Sequence, residues 1–403
     1  MFITGSETKF STIALGAIFC LAFTVQVRAE DGKSAQSGFK KGFFIKSADG
    51  QSKMTINGRV QSRYQFDGLD GVGDAAEDGS GADDKQSFSI PRARLTLKGH
   101  VYGKDLTYKF QTDFGKGLVN LKDFFANYRL SDGLHIRVGQ WKRPFSRQQI
   151  TSSSKLSLVD RAITDKLFGA GRDIGVALHN NYEKSPEFEW AFGVFNGASV
   201  KPAIKTTVTV DKVNEVVIAT SKMGNTIGRM QPAVVGRVGY NMGGIKGYSE
   251  GDHKGGEFRL AVGLGGVWLH SYDDDASAVR ANLDFIMKVR GLSLSGAAYV
   301  AMDETTDAAG ETSLGMTSLG LHAQASYLLG DVYQPVVRFE WHMPDEVSAS
   351  DPDEKVALLG FNWFFKGHSV KWQNDVGLAI HSDGSGASDR TDLRFRSQLQ
   401  FAF

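Results

Sequence analysis

The residues of this sequence best suited to chemistry are cations that recur at every second position. In the stretch PRARLTLKG, Arg92, Arg94 and Lys98 alternate with apolar side chains. Alternate side chains of a β-strand share one face and rise about 6.8 Å per two residues. Because this spacing is shorter than the Debye length of about 8 Å at physiological salt, the fields of the three cations overlap. A strand here would present a continuous positive row to a passing anion.

The same alternation places cations on one face of the neighbouring segments, where acids are fewer and are chiefly Asp113 and Asp123. Rings of guanidinium and ammonium groups select anions because they replace part of the hydration shell of the anion. The alternative is that these cations pair with acids and only brace a wall. The predicted anion-path residues are Arg59, Arg63, Arg92, Arg94, Lys98, Lys109, Arg129 and Arg137.

β-Strands must position these residues. Apolar and polar side chains alternate with a period of two along most of the chain, and no segment keeps a helical period. Each predicted strand alternates apolar and polar side chains, and turn residues separate it from the next. Sixteen segments show this pattern, and they are 53–66, 87–101, 105–114, 120–130, 134–142, 171–180, 186–195, 231–242, 256–268, 279–290, 292–302, 315–329, 333–342, 354–366, 369–380 and 391–403.

The apolar faces of these segments indicate which side meets water. In VRANLDFIMKVR (279–290), Leu283 and Phe285 share one face, and Asp284 and Lys288 share the other. In a bilayer, a closed sheet pairs all of its backbone N–H and C=O groups, and its apolar rows face the hydrocarbon. A ring of sixteen strands is wide enough to enclose water, which solvates the charged rows on the inner face. We therefore predict an all-β fold, a 16-stranded antiparallel transmembrane β-barrel. Aromatic residues at strand ends would form interfacial girdles, and the candidates are Trp141, Trp268, Trp341, Trp363 and Phe403.

The connections between the predicted strands alternate in length, which favours the same fold. Five are tight, such as the lone Gly291, whereas residues 143–170 and 196–230 form long connections. A membrane barrel has short periplasmic turns on one rim and long outer loops on the other, and a propeller or sandwich has no reason to alternate. Two connections break the rule, because 115–119 is short where a long loop is due and 243–255 is long where a turn is due.

The third outer loop, 143–170, is rich in cations and holds two acids, Asp160 and Asp165. Loops of this length inside a compact domain are usually functional or disordered. If the loop folds into the barrel, it narrows the pore and carries its cations to the centre. The alternative is a loop on the outer surface. The predicted constriction residues are Arg143, Arg147, Lys155, Arg161 and Lys166.

The first 29 residues have the pattern of a secretory signal peptide, with one early cation, an apolar run and a small-residue cleavage site. The predicted organisation is a signal peptide at 1–29, a periplasmic segment at 30–52 and the barrel at 53–403. The single cysteine, Cys20, lies in the signal, which excludes disulfides and thiolate metal sites from the mature chain. Removal of the signal leaves equal numbers of basic and acidic side chains, which argues against a nucleic-acid partner.

Five stretches in order also resemble the phosphate-selective porin O/P family of Gram-negative outer membranes. They are INGRVQSRYQFDG (56–68), PRARLTLKG (91–99), GQWKRPF (139–145), ITSSSKLSLVDRA (150–162) and GRDIGVAL (171–178). The resemblance implies a sixteen-stranded barrel, usually a homotrimer, surrounded by outer-membrane lipid and lipopolysaccharide. It also implies a third loop that constricts the pore, basic residues along an anion path, and insertion machinery that reads the C-terminal aromatic residue, Phe403.

The chain departs from the family pattern at two places. Pro91 stands where a further arginine is common, and LHSYDDDASA (269–278) is acidic where phosphate-binding members carry lysines. The first outer loop, 67–84, holds seven carboxylates and no cation. The sequence thus predicts an acidic mouth above a basic lumen, and it leaves the identity of the permeant anion open.

Catalytic and metal chemistry find little support in the sequence. The nine histidines are scattered without metal-ligand spacing, and the serines at 152–154 lie in no nucleophile elbow. We therefore expect no enzyme, no metal and no cofactor. The predicted function is an outer-membrane porin with a water-filled, anion-preferring channel for phosphate or other small anions. The alternatives are a plugged structural or adhesive barrel and, with less support, an outer-membrane barrel enzyme. The segment 30–46 is too short for a plug domain, which argues against a gated transporter.

Overall fold

The computed structural model describes most of the predicted mature chain. The described residues are 34–69, 84–197, 207–211, 216–220, 231–272, 276–306, 312–346, 351–382, 384 and 389–403. The predicted signal peptide and most of the acidic 67–84 loop lie outside this part of the chain. Among the described residues, no helix is long and apolar enough to cross a bilayer.

Sixteen antiparallel strands close into a barrel, which confirms the predicted fold class and the predicted number of strands. Each strand pairs with its neighbours in sequence, and β20 pairs with β3 to close the ring. The barrel strands are β3 (Lys53–Leu69), β4 (Lys85–His100), β5 (Leu106–Asp113), β6 (Asn120–Ser131), β7 (Leu134–Lys142), β8 (Arg172–His179), β9 (Phe188–Phe195), β12 (Ala233–Met242), β13 (Arg259–Ser271), β14 (Ala276–Val289), β15 (Leu292–Thr306), β16 (Thr312–Tyr327), β17 (Tyr333–Pro344), β18 (Asp353–Lys366), β19 (Val370–Ser382) and β20 (Arg390–Ala402).

Four short strands lie outside the ring of sixteen. β1 (Gln36–Phe39) and β2 (Phe43–Lys46) form a hairpin, and β2 pairs with the first residues of β3. β10 (Thr207–Asp211) and β11 (Val216–Thr220) form a second hairpin in the connection between β9 and β12. The sequence analysis found neither hairpin, because both are too short to show a period of two.

The side-chain faces are inverted relative to a soluble protein, as predicted. On β14, Leu283 is 60 % exposed on the outer wall, whereas Asp284 is 3 % exposed and Lys288 is 2 % exposed on the inner face. On β20, Phe401 is exposed and Gln400 is fully buried. Hydrocarbon accepts the apolar rows, and the closed ladder satisfies the backbone groups.

One predicted girdle residue is wrong. Trp141 is 2 % exposed and faces the lumen, where it packs 5.0 Å from Phe195 and lies under the guanidinium of Arg137. It lies four residues after Arg137 on the same strand, so the alternation of side chains turns both residues inward. By contrast, Trp363 clusters with Tyr333 at the periplasmic ends of β17 and β18, as expected of an aromatic girdle.

Both irregular connections have the predicted lengths. Between β5 and β6 only residues 114–119 intervene, and they contain a single 3-10 turn at Gly115–Gly117. Between β12 and β13 the connection 243–258 is long and turns into the barrel, where Ile245 and Tyr248 are buried. The predicted acidic loop at 269–278 is instead mainly the ends of β13 and β14, and its residues 273–275 lie outside the described part of the chain.

The C-terminal residue completes the seam between the first and last barrel strands. Phe403 exchanges two backbone hydrogen bonds with Gly58, and its carbonyl accepts a third from Asn57. Its ring lies against Gly58 and 5.8 Å from the ring of Phe43 in the N-terminal hairpin.

Deletion of Phe403 should lower the fraction of heat-modifiable, folded protein in outer-membrane fractions, because the seam loses these hydrogen bonds and the covering ring. The folded fraction is measured from the difference in gel mobility between unheated and heated samples. Phe401→Ala, which removes an equally large exposed ring from the same strand, is the control and should retain more folded protein. An unchanged folded fraction after the deletion would contradict the prediction.

Candidate functional site

The connection between β7 and β8, residues 143–171, lies inside the barrel and is here called the inner loop. It contains two short helices, α1 (Arg147–Ile150) and α2 (Ile163–Phe168). Ser146 caps α1, since its hydroxyl accepts a hydrogen bond from the Gln149 amide. Burial of apolar residues along the loop, such as Phe145 and Leu158, fixes it within the lumen.

Glycines in the barrel wall make room for the apolar side chains of the inner loop. A Cβ atom at Gly320 of β16 would lie 2.5 Å from the Phe168 ring, and one at Gly360 of β18 would collide with Leu158. Neither position has a φ angle that demands glycine, so close approach is the reason for the residue at both. The wall and the loop are therefore matched in shape.

Four buried charges fix the start of the inner loop to β9, β12 and β14. Arg147 donates to Asp284 at 2.8 Å, and Arg237 donates to the same carboxylate at 2.7 Å and to Glu189 at 3.1 Å. Tyr248 donates to Glu189 at 2.7 Å and lies beneath both guanidinium groups. Charges buried to this extent must be paired, and loss of one partner costs about 3–5 kcal/mol.

Polar side chains of β17 and β19 bind the backbone of the inner loop. Lys371 donates to the carbonyl of Leu156 at 3.0 Å, and the Val159 amide donates to Asp375 at 2.9 Å. The Ile163 amide donates to Glu340. The lumen thus satisfies the backbone groups of a loop that has little secondary structure of its own.

Asp160 connects the inner loop to the wall that carries the basic row. Its carboxylate accepts two hydrogen bonds from Arg63, at 2.8 and 3.0 Å, and a longer one from Arg92 at 3.4 Å. Burial alone would raise the pKa of Asp160, but the guanidinium groups of Arg63 and Arg92 outweigh burial and hold this pKa well below its usual range. The carboxylate therefore stays charged in moderately acidic water.

Most of the predicted anion-path cations face the lumen in ion pairs. Arg94 donates to Asp113 at 2.7 Å, and Lys109 lies within hydrogen-bond distance of Asp123. Near the periplasmic rim, Arg137 pairs with Glu183 at 3.3 Å. Arg129 is half exposed at the same rim and pairs with Asp105 and Asp132.

Some of the predicted constriction cations are in ion pairs, and others are exposed. Arg143 pairs with Asp173 at 3.5 Å. Arg161 pairs with Asp165 at 3.4 Å and donates to the carbonyl of Thr151. These two side chains, like Arg147, hold the shape of the loop. Lys155 and Lys166 are exposed.

Two predicted anion-path residues have no acid beside them in the part of the chain that the structure describes. The Arg59 guanidinium donates only to the hydroxyl groups of Ser152 and Ser153, at 3.4 and 3.0 Å. Lys98 is exposed on the lumen face of β4, opposite Lys109. These two cations, rather than Arg92 and Arg94, retain charge that a solute can meet.

Sequence reasoning missed several cations on the same side of the lumen. Lys184 lies in the turn between β8 and β9, and Lys246 lies in the 243–258 connection. Both are exposed, and their positions in connections gave no period of two to follow. Burial lowers the pKa of Lys155, and the positive charges of Lys184 and Lys246 lower it further, so the three ammonium groups share one region.

Lys98, Lys155, Lys184 and Lys246 are here called the lysine cluster. None of the four forms an ion pair with another residue among those described. The ends of β4, β8 and β12 from which three of them come lie on the periplasmic half of the barrel. Further missed cations lie higher in the lumen, and they are Lys122, Lys142 and Arg172, of which Arg172 pairs with Asp123 at 2.8 Å. The lysine cluster therefore gives this part of the lumen exposed, unpaired positive charge.

Comparison with known proteins relates the chain to porins. The model of the family described as phosphate-selective porin O and P matches residues 55–211. A protein of Aquifex aeolicus (strain VF5), described only as uncharacterized, is 23 % identical over 386 residues, which cover 86 % of each chain.

Solved structures of outer-membrane channels share the fold. The outer membrane channel DcaP of Acinetobacter baumannii aligns with a TM-score of 0.59 at 15 % identity, over 90 % of this chain and 100 % of its own. An anion-selective porin from Comamonas acidovorans aligns with a TM-score of 0.53 at 14 % identity, over 87 % and 100 %. The trimer form of OmpT from Vibrio cholerae aligns with a TM-score of 0.51 at 9 % identity, over 87 % and 99 %.

Asp160→Asn should loosen the inner loop, because a neutral amide replaces a charge-assisted anchor worth about 1.5–3 kcal/mol. Amides of residues 156–164 should exchange with deuterium roughly tenfold faster, which corresponds to the lower end of that range. Hydrogen-exchange mass spectrometry in detergent measures this rate. Asp132→Asn, at an exposed rim pair, is the control and should leave the exchange unchanged.

The same anchor predicts a pH dependence. A carboxylate with a lowered pKa stabilises the folded form above the usual aspartate value of about 3.9, and the contribution is lost only as the pH falls from there toward the lowered value. The wild-type loop should therefore exchange with equal protection at pH 7 and at pH 5, after correction for the intrinsic pH effect. Early loss of protection at pH 5 would contradict the assigned role of Asp160.

Proposed function

We propose that this protein, a Gram-negative outer-membrane porin whose residues 55–211 match the phosphate-selective porin O and P family, conducts small anions in preference to cations. The observation that carries the proposal is the lysine cluster together with Arg59. These cations lie inside the barrel without acidic partners among the described residues. A solute that passes the inner loop on this side meets cations that form no ion pair within the described part of the chain.

The unpaired cations act on solutes over a distance comparable to the width of a narrow pore. The Debye length at physiological salt is about 8 Å, so a charge on the wall is felt across much of the lumen. Walls of low dielectric constant focus the field further and raise the local concentration of the opposite ion. The result is a higher concentration of anions and a lower concentration of cations at the constriction.

The ion pairs refine the role of the basic row. Arg63, Arg92 and Arg94 hold Asp160 and Asp113, so their charges are largely compensated. They keep the inner loop in place, and the lysine cluster supplies the net potential. Both interpretations of the basic row, wall bracing and anion selection, therefore describe part of it.

Phosphate and other small anions are the proposed solutes. The description of the matching family names phosphate, and one structural neighbour is described as anion-selective. A small cavity of about 50 Å³ lies between the inner loop and β17–β20, and cations and acids both line it. Its arginines Arg161, Arg394 and Arg396 are paired with Asp165, Glu354 and Asp67. The exposed Lys166 is the lining cation that can meet a phosphate as a point charge.

A plugged structural barrel is the second candidate, and the dense contacts of the inner loop favour it. The loop packs on β9, β12, β14 and β16–β19, and little space remains on that side of the lumen. Conductance in planar bilayers separates the two candidates. Stable single-channel currents support the porin, and silence of correctly folded protein supports the plugged barrel.

The homotrimer is the proposed assembly, because a closed barrel offers no sheet edge and can associate only through its outer wall. One structure of similar fold, OmpT from Vibrio cholerae, is described as a trimer form, which supports this proposal. Light scattering of the detergent-purified protein, corrected for bound detergent, should give three times the mass of one chain. A mass equal to one chain would contradict the homotrimer.

Lys98→Gln combined with Lys184→Gln should shift the zero-current potential in a potassium chloride gradient toward cation permeability. A unit charge at 8 Å in water contributes about 0.5 kcal/mol, so removal of two should lower the local anion concentration roughly fivefold at low salt and less at high salt. The local cation concentration should rise at the same time, so the anion-to-cation permeability ratio should fall. Neither lysine holds an acid among the described residues, so the change acts on potential without breaking an ion pair.

The matched control removes two exposed lysines from the N-terminal hairpin region, Lys40→Gln with Lys41→Gln, and should leave the zero-current potential unchanged. A wild-type channel that already prefers potassium would overturn the proposed anion preference. An unchanged zero-current potential in the Lys98 and Lys184 variant would remove the lysine cluster as its cause.

A further inference from the structure

The connection 243–258 is a periplasmic connection that enters the lumen. It joins the lower ends of β12 and β13, where a barrel needs only a short turn. Ile245 is 2 % exposed and packs with Ala261 and Ile286 of the inner wall. A connection with apolar side chains buried in this way is a built element of the lumen.

Wall residues hold the backbone of this connection. Lys288 of β14 donates to the carbonyl groups of Lys246 and Ser249, at 3.0 and 2.5 Å. Asp252 accepts two hydrogen bonds from Arg259, at 2.8 and 2.9 Å, and one from the Gly291 amide at 3.0 Å. The connection is therefore fixed at both ends of its inward part.

Glu250 joins the connection to the inner loop. Its carboxylate accepts hydrogen bonds from the Ser157 amide at 2.7 Å and from the side chains of Gln148 and Gln324, at 3.3 and 3.1 Å. Its own amide donates to the carbonyl of Lys155 at 3.2 Å. Glu250 is 6 % exposed, so these bonds are made away from bulk water, where they are strongest.

Lys246 is an exposed cation within the buried part of this connection. The residues around it are anchored, since Arg147 of the inner loop donates to the Gly247 carbonyl at 3.4 Å and Lys288 holds the carbonyl of Lys246 itself. The ammonium group is thus carried on a rigid support close to Lys155 of the inner loop.

We propose that residues 243–258 are a second constriction element, latched beneath the inner loop by Glu250, which closes the β12–β16 side of the lumen and places Lys246 on the solute path. The closing role is independent of ion preference, whereas the role of Lys246 rests on the proposed anion channel. The inner loop enters from the outer rim and this element from the periplasmic rim. The two meet at Glu250, so the pore has a double constriction.

The charge role is tested by Lys246→Glu against Lys254→Glu. Both lysines are exposed on the same connection, but Lys254 lies beyond the buried part, next to Gly244. Lys246→Glu should lower the anion-to-cation permeability ratio at low salt several-fold, and Lys254→Glu should leave it within experimental error. Equal effects of the two variants, or no effect of either, would overturn the assignment of Lys246.

The latch role is tested by Glu250→Ala and by replacement of residues 245–253 with a short glycine-rich turn. Both variants should form heat-modifiable barrels with a larger single-channel conductance. The replacement should also admit sugars in liposome swelling that the wild-type protein excludes. Unchanged conductance in the folded replacement would overturn the second constriction.

These experiments distinguish a failure of the second constriction from a failure of the proposed anion channel. If the wild-type channel prefers cations, the anion channel fails, yet an increase in conductance on removal of 245–253 still supports the constriction. If the wild-type channel prefers anions and the replacement conducts as before, the constriction fails alone.

Discussion

Closure of the sheet in hydrocarbon is the constraint on which the rest of this structure depends. A strand edge in the bilayer would leave amide and carbonyl groups without partners, so β20 must pair with β3 along their lengths. Once the ring is closed, the outward rows must be apolar and the polar rows must turn inward. The inward rows then enclose a space too wide for wall side chains to fill, and another part of the chain has to occupy it.

The inner loop and the 243–258 connection fill this space with contacts of two kinds. On the β9–β16 side, buried ion pairs around Asp284 and apolar contacts around Phe168 make a core like that of a soluble protein. On the β3–β8 side, charges are less buried and several lysines are unpaired. The asymmetry separates a densely packed side of the lumen from a side with exposed cations, and the proposed anion path follows the second side.

The strand count, the side-chain faces and the alternation of connections followed from the sequence because each depends on a local period of two. Partners of charged residues did not follow, since Asp160 reaches Arg63 across a separation of 97 residues. Parity placed Arg92 and Arg94 in the lumen, and Asp113, which pairs with Arg94, on the same rows, but it said nothing of the loop acid Asp160 that contacts Arg92. Lys184 and Lys246 escaped detection because they lie in connections, where alternation carries no information. Trp141 was misplaced because its position near a strand end suggested a girdle, whereas its parity, shared with Arg137, places it in the lumen.

The contacts of the inner loop with both sides of the seam bear on the order of assembly. Asp160 and Ser153 bind β3, and the carbonyl of Ser154 accepts a long hydrogen bond from Gln400 of β20. The loop therefore bridges the first and last barrel strands from within, across the joint where the ring closes. A loop that binds both strands of this joint from the inside resists their separation and adds to the backbone ladder that closes the ring. The element that narrows the channel is then also an internal clamp on the barrel.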